Sequence, residues 1–331
     1  MPTGTGKTET MLSLLLSKGC KRVLVIVPTD ALRSQIAEKF YSLGILKKYQ
    51  LIPQSYGYPI VGILKEKPKS IKDINSFFSL CNVVVTTVSI AGQLSEELQK
   101  EMAAECDYLF IDESHHVAAK TWKVLKEKFK GKKIIQFTAT PFRRDGRSVP
   151  GKIIYKYPLK KALQNGYFKK INFKPVSEFD PQKVDEAIAE KAIAQLRSDP
   201  TKHILMARVN TIPRAKEVFK VYEKYKKFNP VQVHTGVSIT IRENIKRDLL
   251  NGKSRVVVCV DMLGEGFDLP ELKIAAFHDI RQSLPVTLQL AGRFTRSRND
   301  LGEPTFVANI ADIEARDELK KLYEQDADWN I

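Results

Sequence analysis

Short apolar runs alternate with amphipathic segments along almost the whole chain, and this alternation constrains the fold more than any other feature. The runs are Val23–Val27, Val83–Val85, Tyr108–Ile111, Ile134–Phe137, Ile204–Met206, Val231–Val233, Val256–Val260, Ile274–Phe277 and Phe306–Val307. Between most of them apolar residues recur at helical spacing, as in Ala31–Leu43 and Ile212–Tyr225. Continuously apolar strands joined through helices predict an α/β fold with mainly parallel sheets and helices on both faces. Thr29-Asp30 supplies a helix start, Gly44 a stop, and Ser70-x-x-Asp73 a capping-box-like start. Between Gly151 and Pro181 the rhythm breaks. A boundary is expected near Glu178–Asp180, giving domains 1–178 and 179–331.

With 331 residues the chain is long enough for two cores. Its net charge of +16 favours polyanionic partners, nucleic acid before anionic membrane. The four cysteines are far apart and form no CxxC pair. That pattern argues against a zinc site and a disulfide framework, and fits a reducing compartment. The longest apolar runs are strand-sized, too short to span a bilayer, and the N-terminus has no basic-then-apolar signal architecture. A cytoplasmic protein without a membrane partner is expected.

Two motifs carry the chemistry. Gly4-Thr5-Gly6-Lys7-Thr8 reads as a phosphate-binding loop, whose Gly-rich backbone and following helix N-terminus offer N–H groups to an anion. Lys7 would reach the outer phosphates of a nucleotide, and the Thr8 hydroxyl would ligate Mg2+. Glycines between polar residues also make ordinary turns, so the partners decide. Tyr108–Ile111 is an apolar strand that delivers Asp112-Glu113 at its C-terminal end, where ligands bind in parallel α/β sheets. Asp112 would hold Mg2+ through its water shell, and Glu113 would orient and deprotonate a water that attacks the γ-phosphate. A solvated strand end is the plain alternative; the phosphate loop upstream favours catalysis.

With these come Thr138-Ala139-Thr140, Asp261–Asp268 (DMLGEGFD) and Gln289–Arg296 (QLAGRFTR), and, near the start, Pro28–Gln35 and Val85–Ser89. In this order the segments resemble motifs I, Ia, II, III, V and VI of superfamily 2 DExH-type helicases and translocases. The tone of Thr138–Arg143 and Gly264–Asp268 is closest to the restriction-enzyme translocase branch. The resemblance runs from Met1 to about Ala308. It implies two tandem RecA-like domains that hydrolyse ATP with Mg2+ at an interdomain cleft and move along a nucleic-acid strand. It also implies that Arg293 and Arg296 are arginine fingers, that Gln289 lines the same cleft and that Asp268 lies near the ribose. His115, Thr138 and Thr140 would couple the nucleotide to domain movement.

Nucleic-acid contacts are expected from Thr29, Arg33, Thr86, Thr87, Arg208, His234 and, through close backbone approach, Gly264. Hydroxyls, arginines and backbone N–H groups suit phosphate contact without base reading. DNA is preferred over RNA, with a nuclease or other complex subunits as further partners. The chain departs from the family pattern in three places. Nothing upstream of motif I is present, so it reads as beginning inside its own ATPase domain. Only 20 residues lie between Asp268 and Gln289, too few for a strand-separating hairpin, which supports translocation over duplex unwinding. The chain also stops soon after motif VI. The alternatives are a translocase subunit of a restriction, defence or repair complex that does not unwind, and a truncated nucleic-acid-binding fragment with weak ATPase.

Overall fold

The computed structural model describes Met1 and residues 4–113, 119–138, 149–167, 169, 171–199, 202–260, 269, 271–279 and 302–311. Apart from Gly4, which groups with the second, these residues gather into two compact units that divide between Ile154 and Tyr155.

The first unit holds five strands: β1 (Val23–Val27), β2 (Val61–Ile63), β3 (Val83–Thr87), β4 (Tyr108–Asp112) and β5 (Lys133–Phe137). They form one sheet in the order β2-β3-β1-β4-β5, with every pairing parallel. Its helices are α1 (Lys7–Ser17), α2 (Asp30–Ser42), α3 (Gly44–Lys48), α4 (Ile71–Ser79), α5 (Val88–Ala91), α6 (Glu96–Ala104) and α7 (Ala119–Lys128). Side chains alternate between two cores. Val23, Val25 and Val27 pack with Met11 and Leu12 of α1, Ile36 and Phe40 of α2 and Leu46 of α3. Leu24 and Ile26 point the other way, to Ile74 and Phe78 of α4, Met102 of α6 and Leu125 of α7. Helices on both faces leave no solvated side to β1, which is why it reads VLVIV rather than as an alternating pattern.

The second unit repeats the plan. Its strands β6 (Asn172–Val176), β7 (Ile204–Val209), β8 (Val231–Val233), β9 (Val256–Val260), β10 (Leu272–Phe277) and β11 (Thr305–Asn309) form a parallel sheet in the order β6-β11-β10-β7-β9-β8. Its helices are α8 (Leu159–Gln164), α9 (Val184–Arg197), α10 (Ile212–Glu223) and α11 (Ile239–Leu250). Leu205, Ala207 and Val209 face α9 and α10, while Ile204 and Met206 face the core that holds Leu249 of α11.

The local signals sit where the side-chain chemistry requires. The Thr29 hydroxyl caps α2 by accepting from Leu32 N, and Ser70 with Asp73 forms the complete capping box of α4. Strand β2 was not among the nine apolar runs. It has three residues, and its middle one is Gly62, where a Cβ would lie 2.6 Å from Cys81 Sγ and 2.9 Å from the Phe77 ring. Only a glycine lets this edge strand approach α4 so closely. Gly62→Ala should therefore destabilise the first unit by about 1–3 kcal/mol through overpacking. Urea denaturation should show a lower midpoint, and an unchanged midpoint would mean the contact relaxes freely.

Candidate nucleotide and nucleic-acid site

Gly4 and Gly6 both take left-handed backbone conformations, with φ of 86° and 93°. At Gly6 an added Cβ would meet nothing closer than 4.0 Å, so glycine is needed for the backbone angle and not for space. Gly6 is the N-cap of α1 and brings no side-chain acceptor to the first-turn N–H groups. The loop is held from both ends. Thr10 donates through N and Oγ1 to Gly6 O, each at 2.8 Å, and Met1 N donates to Thr138 O at 3.1 Å. Glu9, the acid in this first turn, pairs with Lys39 of α2 at 2.9 Å. That pairing offsets a charge that would otherwise repel an anion.

Lys7 and Glu113 meet at the C-terminal edge of the first sheet. Lys7 Nζ lies 2.9 Å from Glu113 Oε1, and both side chains are largely withdrawn from solvent. The contact is ionic but off hydrogen-bond alignment, and among the described residues no acceptor bonds the buried ammonium. Such an ammonium fits a phosphate group, which would supply the missing acceptors. Glu113 itself has φ of 45°, a left-handed conformation that a residue of its kind adopts at a cost of about 1–3 kcal/mol. Its N–H donates to Asp112 Oδ1 at 3.0 Å. The strained residue directly after β4 turns its carboxylate toward Lys7 while the buried Asp112 stays at the strand end. Thr8, half-buried in the first turn of α1, and Asp112 offer one hydroxyl and one carboxylate. That oxygen set suits Mg2+, which takes one or two protein ligands and completes its shell with phosphate and water.

Thr29, Thr86, Thr87 and Thr138 lie at the same strand-end edge as Asp112. Thr86 and Thr87 are buried; Thr86 Oγ1 donates to Leu64 O at 3.2 Å, and Thr87 Oγ1 shares a 2.8 Å hydrogen bond with Ser89 Oγ. Arg33 is buried in α2 and pairs with the exposed Asp30 carboxylate at 2.8 Å. In the second unit Arg208 is buried on β7, with Nη1 3.4 Å from Asn210 Oδ1. His234 follows β8 and accepts from Gly236 N at 3.1 Å. Gln289, Arg293, Arg296, Asp268, Gly264, His115 and Thr140 lie outside the described residues.

One cluster escaped the sequence reading. Beyond the ends of β7 and β10, Asp279 accepts from Asn210 N at 2.9 Å and from Arg214 Nε at 3.2 Å. Arg214 also reaches Asp185 at 3.0 Å, and His278, fully buried, bridges Asp185 at 2.9 Å and the Tyr222 hydroxyl at 3.0 Å. The network clasps α9 and α10 to the segment that leaves β10. The helical spacing of Ile212–Tyr225 was visible, but nothing local links Arg214 to Asp279, 65 residues away.

Residues 1–143 match the family described as the type III restriction enzyme, res subunit, and residues 183–298 match the helicase conserved C-terminal domain. The chain is a superfamily 2 helicase core. This core is 24% identical over 321 residues to the ATP-dependent RNA helicase DBP3 of Candida glabrata, an alignment covering 87% of the chain and 53% of that protein. It is 23% identical over 339 residues to the DNA 3'-5' translocase XPB2 of Sulfurisphaera tokodaii, covering 84% and 76%. In fold it resembles the Mycobacterium smegmatis helicase Lhr bound to ssDNA and AMP-PNP, with a TM-score of 0.68 at 18% identity over 98% of the chain and 46% of Lhr. The helicase core thus spans about half the length of DBP3 and of Lhr. The structural likeness shows two tandem RecA-like units, each a parallel sheet between helices.

The Asp185 cluster has a pH signature. Burial pushes the Asp185 carboxyl up, but its hydrogen bond to His278 and the charge of Arg214 outweigh this and hold it below its ordinary range. A depressed folded-state pKa contributes stability above the unfolded value of about 3.9, and that contribution is lost as pH falls through the folded value. Asp185→Asn should cost about 1–3 kcal/mol at neutral pH and less in acid. Urea midpoints of both proteins across that range test this; an equal cost at all pH values would contradict it.

Proposed function

We propose that this helicase core is a nucleic-acid-stimulated ATP hydrolase of DExH type that moves along a strand. The observation that carries the reading is the buried Lys7 ammonium, ion-paired with a strained Glu113 yet without a bonded acceptor among the described residues, beside a helix whose N-cap glycine supplies no side-chain cap. Phosphate groups of ATP would take the Lys7 ammonium and the N–H groups of Gly4, Thr5, Gly6 and Lys7. Losing Lys7 frees the Glu113 carboxylate to orient a water and accept its proton. Thr8 and Asp112 would hold Mg2+, which supplies positive charge to the phosphate oxygens when bound. By resemblance Arg293, Arg296 and Gln289 act on the transferred phosphate, Asp268 on the ribose, and His115, Thr138 and Thr140 in coupling.

A translocase acting with a nuclease or other subunits is supported by the restriction-subunit family match. The names of its relatives include both an RNA helicase and a DNA translocase, and we favour DNA. Thr29 and His234 are the phosphate contacts we propose, with Gly264 approaching through its backbone. Buried Arg33, Thr86, Thr87 and Arg208 are assigned to shaping the strand-end loops. Free cysteines fit a cytoplasmic setting, and among the described residues no helix is long and apolar enough to cross a membrane.

Steady-state ATPase with single- and double-stranded DNA and RNA tests the reading. Lys7→Ala should lower kcat/KM by roughly 100-fold or more, and Glu113→Gln should lower turnover by about 100- to 10,000-fold. Because it removes the carboxylate that competes for Lys7, Glu113→Gln should also bind ATP more tightly than wild type. If wild type and Lys7→Ala hydrolyse ATP alike with every polymer present, the proposal fails.

A further inference from the structure

The first unit carries a second surface suited to nucleic acid, at the opposite end of its sheet. The chain from Tyr41 to Ile60 runs from the end of α2 through α3 and a loop into β2. It exposes four tyrosines: Tyr41, Tyr49, Tyr56 and Tyr58, at 55, 63, 43 and 61%. No acidic residue occurs between Glu38 and Glu66, while four lysines do. The loop re-enters the sheet at the N-terminal edge, where Ile60 O accepts from Asn82 N and Val83 N at 2.8 and 3.1 Å. The Lys7–Glu113 pair sits at the other edge, one strand length away, or about 16 Å for five residues.

The loop has a built shape. Lys47 is buried, and its ammonium donates to three carbonyls, Pro53 O, Gln54 O and Tyr56 O, at 3.2, 2.7 and 2.8 Å. An ammonium has three donors, so this charge is fully satisfied by the backbone of the loop it holds. The same Nζ lies 4.9 Å from the Tyr58 ring centroid, and Lys48 Nζ lies 5.6 Å from that of Tyr49. Positive charge and exposed rings are therefore interleaved on a loop whose carbonyls are drawn inward and whose tyrosines face solvent.

We propose that this lysine-pinned face is a second nucleic-acid site, a stacking platform for unpaired bases of a single strand. Base–aromatic stacking tolerates any sequence, and the exposed Lys48 ammonium beside the Tyr49 ring attracts a phosphate. An acidic protein segment is disfavoured as the occupant because Lys47 spends its donors inside the loop, leaving rings rather than charges as the main offering. The proposal rests on the nucleic-acid partner of the helicase core but not on its ATPase chemistry. It places a strand away from the strand-end threonines, so a single strand could be held there while the motor edge works.

The test compares wild type with Tyr49→Ala/Tyr56→Ala/Tyr58→Ala and with the matching triple Tyr→Phe protein, each checked for folding by its thermal melt. Fluorescence anisotropy with labelled oligothymidylate, without nucleotide, should show about tenfold or greater loss of affinity in the alanine protein and little change in the phenylalanine protein. An abasic oligomer of equal length keeps the phosphates and removes the bases. It should bind wild type about as weakly as oligothymidylate binds the alanine protein, and ATPase without nucleic acid should be unaffected by the three substitutions. Equal binding of oligothymidylate by wild type and the alanine protein overturns the proposal, as does equal binding of the abasic oligomer by wild type. Loss of binding to a glutamate–tyrosine copolymer with oligothymidylate binding retained would instead make the face a protein dock. Tyrosine-dependent binding in a protein without Lys7-dependent ATPase would sink the motor reading and leave this one standing.

Discussion

Burying both faces of a parallel sheet is the constraint on which the rest of this structure depends. Every strand then runs the same way, every crossover needs a helix, and all strand C-termini open at one edge. Backbone that cannot continue into the sheet turns there, and Asp112, Glu113, Thr87 and Thr138 are delivered to that edge from strands far apart in sequence. The N-terminus of α1 opens at the same edge, so one arrangement brings backbone N–H groups, a lysine and two carboxylates together.

The Lys7–Glu113 pair gives that edge two uses. Two charges withdrawn from water are stable only with good geometry or further partners, and here the ammonium has contact without a bonded acceptor among the described residues. Glu113 adds backbone strain at its own position. Both features describe a pair held close by charge, with the Lys7 ammonium off hydrogen-bond alignment. In the proposed reaction a phosphate would take Lys7 and a water would take Glu113, so that binding and activation of the base would be the same event.

Much of this was legible in the sequence. The nine apolar runs all fall within strands, because residues buried on both faces must be apolar at consecutive positions. Thr29, Ser70 and Asp73 cap where they stand, because caps are local chemistry. The Gly6 turn and the carboxylates at the end of β4 were readable for the same reason. Contacts between distant segments were hidden. The clasp of Arg214 on Asp185 and Asp279 joins a helix start, a second helix start and a strand end, and no spacing announces it. The burial of Arg33, Thr86 and Arg208 was equally invisible, since an arginine or threonine near a strand end reads as a surface contact until the packing is known. Strand β2 is short and centred on a glycine chosen for its neighbour Cys81, a reason that lies 19 positions away.

The most direct measurement is a crystal structure of the helicase core with a non-hydrolysable ATP analogue and Mg2+. Lys7 Nζ should then lie on a phosphate oxygen, with Asp112 directed at the metal and the Glu113 carboxylate released from Lys7 toward a water. A nucleotide bound with the Lys7–Glu113 pair intact would contradict this.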